Sequence, residues 1–419
     1  MKHRIETAEN CENDFESDWI SVDVALAHIK QHVIPLTDMI KRPLRDCLGQ
    51  VLAQAIISPI DVPGHTNSAM DGYAVKGADL PMDDTVSLSI VGRAMAGAGY
   101  TGGCETGECV RIMTGAIMPL GTDSVVMQEQ SELMDEATVK IGSGHRQGQN
   151  VRYAGEDIAA GTEVFIVGRR ITAADLGVIA SFGFAEVAVK RKVRVAFFST
   201  GDELRSVGEV LDEGQIYDSN RYTLYGMLSQ LDVDIFDMGV VIDQPEAVAH
   251  AFEQASTMAD VVITSGGVSV GEADYIKPTL RAMGKINFWK IAMKPGRPLT
   301  YGQLGKTHFF GLPGNPVAVM VTFLQFVKPA LQQLSGEETK APLRINAVCQ
   351  NDIRKRPGRT EFQRGFFTQH KDGTLTVALT GRQGSGILSS MSEANCLIVL
   401  NDKQPDVGEG DIVLIELLN

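Results

Sequence analysis

Hydroxyls, carboxylates and glycines gather in this sequence where apolar runs stop. Thr264-Ser265-Gly266-Gly267-Val268-Ser269-Val270-Gly271-Glu272-Ala273-Asp274-Tyr275 follows directly on Ala259-Asp260-Val261-Val262-Ile263. A strand that ends in paired glycines and gives way to a helix start exposes backbone N–H groups that favour an anion. Asp274, about one turn into that helix, adds a carboxylate suited to holding a divalent metal or orienting a leaving group. Gly267-Val268-Ser269-Val270-Gly271 also fits the G-x-S-x-G pattern of a hydrolase nucleophile elbow, with Ser269 as nucleophile and His308 or His370 as base. That elbow puts its serine on the strand-to-helix turn itself. Here two polar residues and a glycine pair intervene, so a phosphate cradle is the better reading.

Two more loops share this character: Ser199-Thr200-Gly201-Asp202-Glu203-Leu204 and Gly311-Leu312-Pro313-Gly314-Asn315-Pro316. Pro313 and Pro316 stiffen the second, Gly314 permits close backbone approach and Asn315 is placed to cap the next helix. Positive charge comes from Lys290, Lys294 and Arg297 in Trp289-Lys290-Ile291-Ala292-Met293-Lys294-Pro295-Gly296-Arg297-Pro298. A Pro-Gly-Arg-Pro turn presents a fixed guanidinium to phosphate or another oxyanion, whereas Lys290 reads equally well as a surface lysine. Glu203, Asp243 and Asp274 follow strands, while Asp71 and Asp157 come from other parts of the chain. Carboxylates gathered near an anionic substrate repel it unless a divalent metal bridges them, and Mg²⁺ suits such hard oxygen donors.

The elements that must position these groups fall into segments. Residues 193 to 335 alternate strands (193–198, 233–241, 261–264) with helices (219–230, 245–256, 272–283, 315–334), which predicts a parallel, doubly wound α/β domain. Ligands bind such sheets beyond the carboxyl ends of the strands, where the three loops fall. Residues 22–33 have helical apolar spacing, with Ser21 as cap and Val24 and Leu26 facing inward; His28 and His32, at i and i+4, read as a polar helix face. From Asp61 to Asn150 short, glycine-punctuated segments predict a β-rich insertion, and 341–419 reads as a compact β-barrel or sandwich. In that last stretch Gly381-Arg382-Gln383-Gly384-Ser385-Gly386 is either a contact loop or a plain hairpin. The expected division is an acidic disordered tail (1–20), a discontinuous helical and extended domain (21–60 and 155–190), a β-rich inserted domain (61–154), the α/β domain (191–335) and a C-terminal β domain (336–419).

Composition narrows the partners. The 419 residues carry a net charge of −14, are 44% hydrophobic and 21% charged, and show no basic stripe, which argues against nonspecific nucleic-acid binding. No unbroken apolar run of membrane-spanning length and no signal-like start are evident, so a cytoplasmic protein is expected. The cysteines form no C-x-x-C and predict reduced, buried thiols. No G-x-G-x-x-G follows a first strand, and Gly305-Lys306-Thr307 has Thr300 where the first glycine of a P-loop belongs.

Taken in order, Asn67-Ser68-Ala69-Met70-Asp71-Gly72-Tyr73-Ala74, Arg111-Ile112-Met113-Thr114-Gly115-Ala116 and the three loops resemble the molybdopterin molybdenumtransferase (MoeA) family over roughly residues 20 to 419, and more distantly the gephyrin E domain. The resemblance implies a molybdopterin-binding fold in the α/β domain and insertion of molybdate into adenylated molybdopterin with release of AMP, assisted by Mg²⁺. It implies a homodimer with the site at its interface, and a transient contact with a molybdopterin adenylyltransferase. By matching position it implicates Asp71, Thr114, Asp157, Glu203, Asp243, Asp274, Pro313 and Pro316 in catalysis. Glu203, Asp243 and Asp274 would hold the metal, and Asp71 and Thr114 would cross the interface. Thr200, Gly201, Ser265, Gly266, Gly267, Ser269, Lys290, Lys294, Arg297, Gly314 and Asn315 complete the expected substrate contacts. Arg297 stands where many relatives carry Lys. A serine hydrolase, a non-catalytic scaffold and a molybdopterin adenylyltransferase are the competing readings.

Overall fold

The computed structural model describes residues 19–266, 279, 283–338 and 341–418. Gly267, Ser269, Asp274, the expected 272–283 helix (apart from residues 279 and 283) and the acidic tail up to Asp18 therefore lie outside the described residues. The chain divides into two compact units, one comprising 1–40, 49–51 and 190–419, the other 41–48 and 52–189.

In the first unit, Val193, Val195 and Phe197 point to one face of their strand and Ala196 and Phe198 to the other, and each set is fully buried. A strand apolar on both sides must be covered on both sides. Helices Val22–His32, Ser219–Ser229 and Pro316–Thr322 supply residues to the first core and Pro245–Met258 to the second. The seven-stranded sheet runs Trp19–Ile20, Lys285–Ile291, Pro298–Leu304, Thr307–Leu312, Val261–Ser265, Val193–Thr200, Val233–Val241. The last four strands are parallel, as the alternating pattern predicts. Beyond them the sheet is extended by antiparallel pairing of Thr307–Leu312 with Pro298–Leu304 and of the latter with Lys285–Ile291. Gly305-Lys306, far from any P-loop, is the tight turn of that hairpin.

Local expectations are refined in several places. Ser21 caps its helix through a bond from Val24 N at 3.2 Å, but the buried face is Val22, Ala25 and Ile29, with Val24 55% exposed and Leu26 only partly buried. The stripe is set by Val22 and its i+3 and i+7 neighbours, which leaves Val24 about 160° away on the solvent side. His28 is more than a polar face, since its ring stacks on His32 and meets Trp289 edge-on at 5.0 Å between centroids. The helix from Pro316 to Leu334 passes through a π turn, Phe323–Val327, just before Pro329, whose missing N–H interrupts the α ladder. This helix is long and apolar enough to cross a bilayer, yet about two-thirds of it is buried in the unit's own core.

Strands Arg344–Cys349, Thr360–Gln369, Leu375–Leu379, Cys396–Leu400 and Ile412–Leu417 form a closed barrel, completed by pairing of Thr360–Gln369 with Cys396–Leu400. Its core contains Ala347, Val377, Ile398, Leu400, Val413 and Ile415. The two-residue strand Met293–Lys294 pairs with the start of Thr360–Gln369, so the segment carrying Lys294 is stitched to the barrel.

The second unit is built on a six-stranded sheet in the order Ser124–Met127, Gly72–Val75, Glu108–Ile112, Thr85–Ala94, Thr138–Gly142, Ser131–Asp135. A separate core of Cys47, Leu52, Ile56, Phe165, Ile171 and Ile179 includes helix Ala173–Ser181, which starts in a capping box between Thr172 and Asp175. The five described cysteines are free and buried, and burial pushes the Cys109 and Cys396 thiols up to about 12.

Candidate active site

The parallel strands of the first unit end in hydroxyls. Ser199 and Thr200 close one strand, Thr264 and Ser265 its neighbour, in register Ser199 opposite Ser265. All four side chains are buried, and none of their hydroxyls has a hydrogen-bond partner among the described residues. Buried polar atoms are nearly always paired, so unpaired hydroxyls at the carboxyl edge of a sheet mark where a ligand is expected. Gly266 follows with φ +91°, and a Cβ there would stand 2.6 Å from the Thr200 carbonyl oxygen. Only glycine gives this close approach of the two strand ends.

In front of these strand ends lies a cavity of about 960 Å³, all of whose lining residues belong to the first unit. Thr200, Gly201, Gly266, Pro313, Gly314 and Asn315 bring all three predicted loops to it. Glu203 and Asp243 place two carboxylates on its wall, and Lys294, Arg297 and Arg359 place three cations there. Asp243 N–H is 3.4 Å from Asp202 Oδ1, and Asn220 Nδ2 donates to the Gly314 carbonyl at 2.7 Å, which ties the proline loop to helix Ser219–Ser229. The Arg297 guanidinium lies over the Trp19 ring at 4.3 Å, a cation–π contact. Gly296, at φ +100°, packs where a Cβ would come within 2.5 Å of Thr322 Cγ2.

Other expected residues stand differently. Pro316 opens its helix next to Asn315 without lining the cavity, and Asn315 takes the capping position without a side-chain capping bond. Lys290 sits on Lys285–Ile291, paired with Trp19, and does not line the cavity. Among the described residues no three His, Cys, Asp or Glu side chains cluster as a metal site; Glu203 and Asp243 line the cavity, and Asp274 lies outside the described residues. In the second unit, Asp71 Oδ1 accepts from both Thr114 N and Thr114 Oγ1 at 2.7 Å. The Thr114 amide, then its hydroxyl, hold the Asp71 carboxyl below its ordinary range. Asp157 is exposed on the turn after Gly155, its N–H bonded to the Val62 carbonyl. Of the histidines a hydrolase would need, His308 is buried at the amino end of its strand against Tyr301, and His370 bonds Thr376 in the barrel.

Residues 20–183 match the family described as MoeA N-terminal region (domain I and II), 196–333 a probable molybdopterin binding domain and 346–418 the MoeA C-terminal region (domain IV). A molybdopterin molybdenumtransferase of Haemophilus influenzae is 43% identical over 377 residues, spanning 90% of this chain and 93% of that protein. The chain belongs to the molybdopterin molybdenumtransferase family, MoeA. A molybdopterin molybdenumtransferase of Nostoc is 35% identical over 88% of this chain and 86% of its own length. The crystal structure of a molybdopterin biosynthesis moeA protein from Pyrococcus horikoshii superposes with a TM-score of 0.83 at 27% identity, covering 95% of this chain and all of that one.

In this MoeA chain the barrel contributes more to the cavity than its sequence advertises. Arg359, Gln383, Gly384 and Ser385 all line it, so the Gly381–Gly386 segment reaches the cavity wall. Ser385 O accepts from Val317 N at 3.1 Å, docking the loop on the start of the Pro316 helix. Behind it the buried Arg364 guanidinium donates to Ser390 Oγ at 3.1 Å and to the Gly384 carbonyl at 3.0 Å, while burial pulls its pKa down to about 10. Arg359 had a readable signal, because Pro357-Gly358-Arg359 repeats the Pro295-Gly296-Arg297 turn.

Proposed function

We propose that this cavity holds adenylated molybdopterin and that the chain inserts molybdate into it with release of AMP, as a step of molybdenum cofactor biosynthesis. The observation that carries the reading is the meeting, in one cavity, of the Thr200 hydroxyl, which has no partner among the described residues, two carboxylates and three cations. Phosphate oxygens of the substrate accept from the Thr200 hydroxyl and the Gly266 amide, while the expected contact Ser265 is buried and does not line the cavity. Lys294, Arg297 and Arg359 offset the charge of phosphate and of molybdate, both substrates of this acidic protein. The rigid Pro313-Gly314-Asn315 turn and the Gln383-Gly384-Ser385 loop border the same space and orient the pterin end.

Glu203 and Asp243 fit a Mg²⁺ ion, which is ordinarily held by one or two carboxylates together with substrate phosphates. Bound there, the metal supplies charge neutralisation for the phosphate oxygens. In the homodimer that family resemblance implies, Asp71 and Thr114 of one chain act at the partner's cavity, Asp71 being kept ionised by Thr114. A cytoplasmic setting and hand-over from a molybdopterin adenylyltransferase complete the proposal.

The test supplies adenylated molybdopterin with and without molybdate and Mg²⁺ and follows AMP. AMP release that rises with molybdate is expected; release indifferent to molybdate would sink the assignment.

A further inference from the structure

We propose that Glu361 is a positioning residue that restrains Lys294 and Arg359 and so limits how tightly the cavity holds an oxyanion. Glu361 does not line the cavity and is 1% exposed, directly behind the cationic wall. Its Oε1 accepts from Arg359 Nε at 3.3 Å, and its Oε2 lies 3.9 Å from Lys294 Nζ. Gln363 Nε2 donates to Oε2 at 2.7 Å and holds the carboxylate in place. One buried charge is thus shared between two partly exposed cations from separate segments, with neither contact close or bidentate.

The backbone explains why one side chain governs both cations. Lys294 and Glu361 are register partners where Met293–Lys294 pairs with the barrel strand, so the carboxylate faces the lysine by construction. Lys355, itself buried, donates through Nζ to the Arg356 and Arg359 carbonyls at 3.1 and 2.7 Å. That fixes the turn carrying Arg359 and leaves its guanidinium as the adjustable part. Glu361 draws both cations back against the wall, and its own charge opposes an anion in front of them. A cavity that must release an anionic product after each turnover gains from such restraint, because tighter uniform binding slows departure without helping the chemistry.

This inference rests on the proposed role of the Lys294, Arg297 and Arg359 wall, and the experiment separates the two. Titration calorimetry with sodium molybdate, and separately with inorganic phosphate, compares the protein with its Glu361→Gln, Glu361→Asp and Lys294→Met variants. Losing one unit charge at this range tightens oxyanion binding about tenfold in Glu361→Gln. Glu361→Asp, whose carboxylate retreats by one methylene, tightens it by a smaller factor, and Lys294→Met weakens it. In turnover, Glu361→Gln lowers KM and kcat together, a split that loss of mere structural support would not give. Unchanged or weakened molybdate binding in a folded Glu361→Gln overturns the proposal; should that variant fail to fold, the same result in Glu361→Asp does so. Lys294→Met without effect on binding would instead remove the wall reading and this inference with it.

Discussion

The Thr200 hydroxyl ends its strand buried and unpaired among the described residues, although such a group costs about 1–3 kcal/mol when left without a partner. Valine has the same shape without the hydroxyl. Thr200→Val is therefore expected to leave thermal stability unchanged or raise it, by up to about 1 kcal/mol, while molybdate-dependent AMP release falls roughly ten- to hundredfold. A variant less stable than the parent yet equally active would show that the hydroxyl serves packing rather than substrate. At this scale the sequence was informative wherever a residue type is tied to one chemistry: Glu203, Asp243, Lys294 and Arg297 all line the cavity. Arg359 shows itself in the sequence only through its Pro-Gly-Arg turn and Arg364 not at all, because an arginine on a barrel strand is ordinarily a surface residue, and only folding buries Arg364 and brings Arg359 to the cavity wall. Glu361 was still less legible, since nothing in Arg359-Thr360-Glu361 distinguishes a buried counter-charge from an exposed one.

Among the elements, the strand-to-loop junction at Gly266 is the most constrained. Alanine there combines φ +91° with a Cβ 2.6 Å from the Thr200 carbonyl, and both faults push two neighbouring strand ends apart. Gly266→Ala should lose about 1–3 kcal/mol in urea unfolding and nearly all molybdate-dependent AMP release. Wild-type stability in that variant would mean that the strand ends do not need the close approach. Strands such as Val233–Val241, Leu375–Leu379 and Cys396–Leu400 were legible from their apolar runs and turn boundaries. Their direction was harder to see. Pro298–Leu304 and Thr307–Leu312 are separated only by Gly305-Lys306, a connection too short for a parallel crossover, and that spacing carries the antiparallel extension of the sheet. The inward face of the Val22 helix is ambiguous in the sequence because Val22 and Val24 compete for it, and the tertiary contact of Ile29 decides in favour of Val22.

For the molecule as a whole, acid stability is tied to a buried and a partly buried group at the amino end of the main sheet. Burial lowers the His308 pKa, with the charge of His32 acting the same way and Asp260 opposing. The unfolded chain therefore binds the proton more readily, and the stability tied to neutral His308 is complete above its ordinary value of 6.5 and is lost as pH falls below it. Burial would raise the Asp260 pKa, but bonds from Arg191 and Arg194 bring it below 3.8, so its contribution fades only in stronger acid. The melting temperature should thus fall between pH 7 and pH 5, and His308→Gln should flatten the slope; an unaltered slope would place the sensitivity elsewhere. The order of synthesis adds a last consequence. Trp19–Ile20 is the edge strand of the main sheet, yet its partner, Lys285–Ile291, leaves the ribosome only after the whole of the second unit. At ordinary translation rates that interval is on the order of tens of seconds, long enough for the unit at 52–189 to fold first. The indole that flanks Arg297 thus begins as a solitary N-terminal segment, and closing the sheet edge is a late event in the birth of the protein rather than its first.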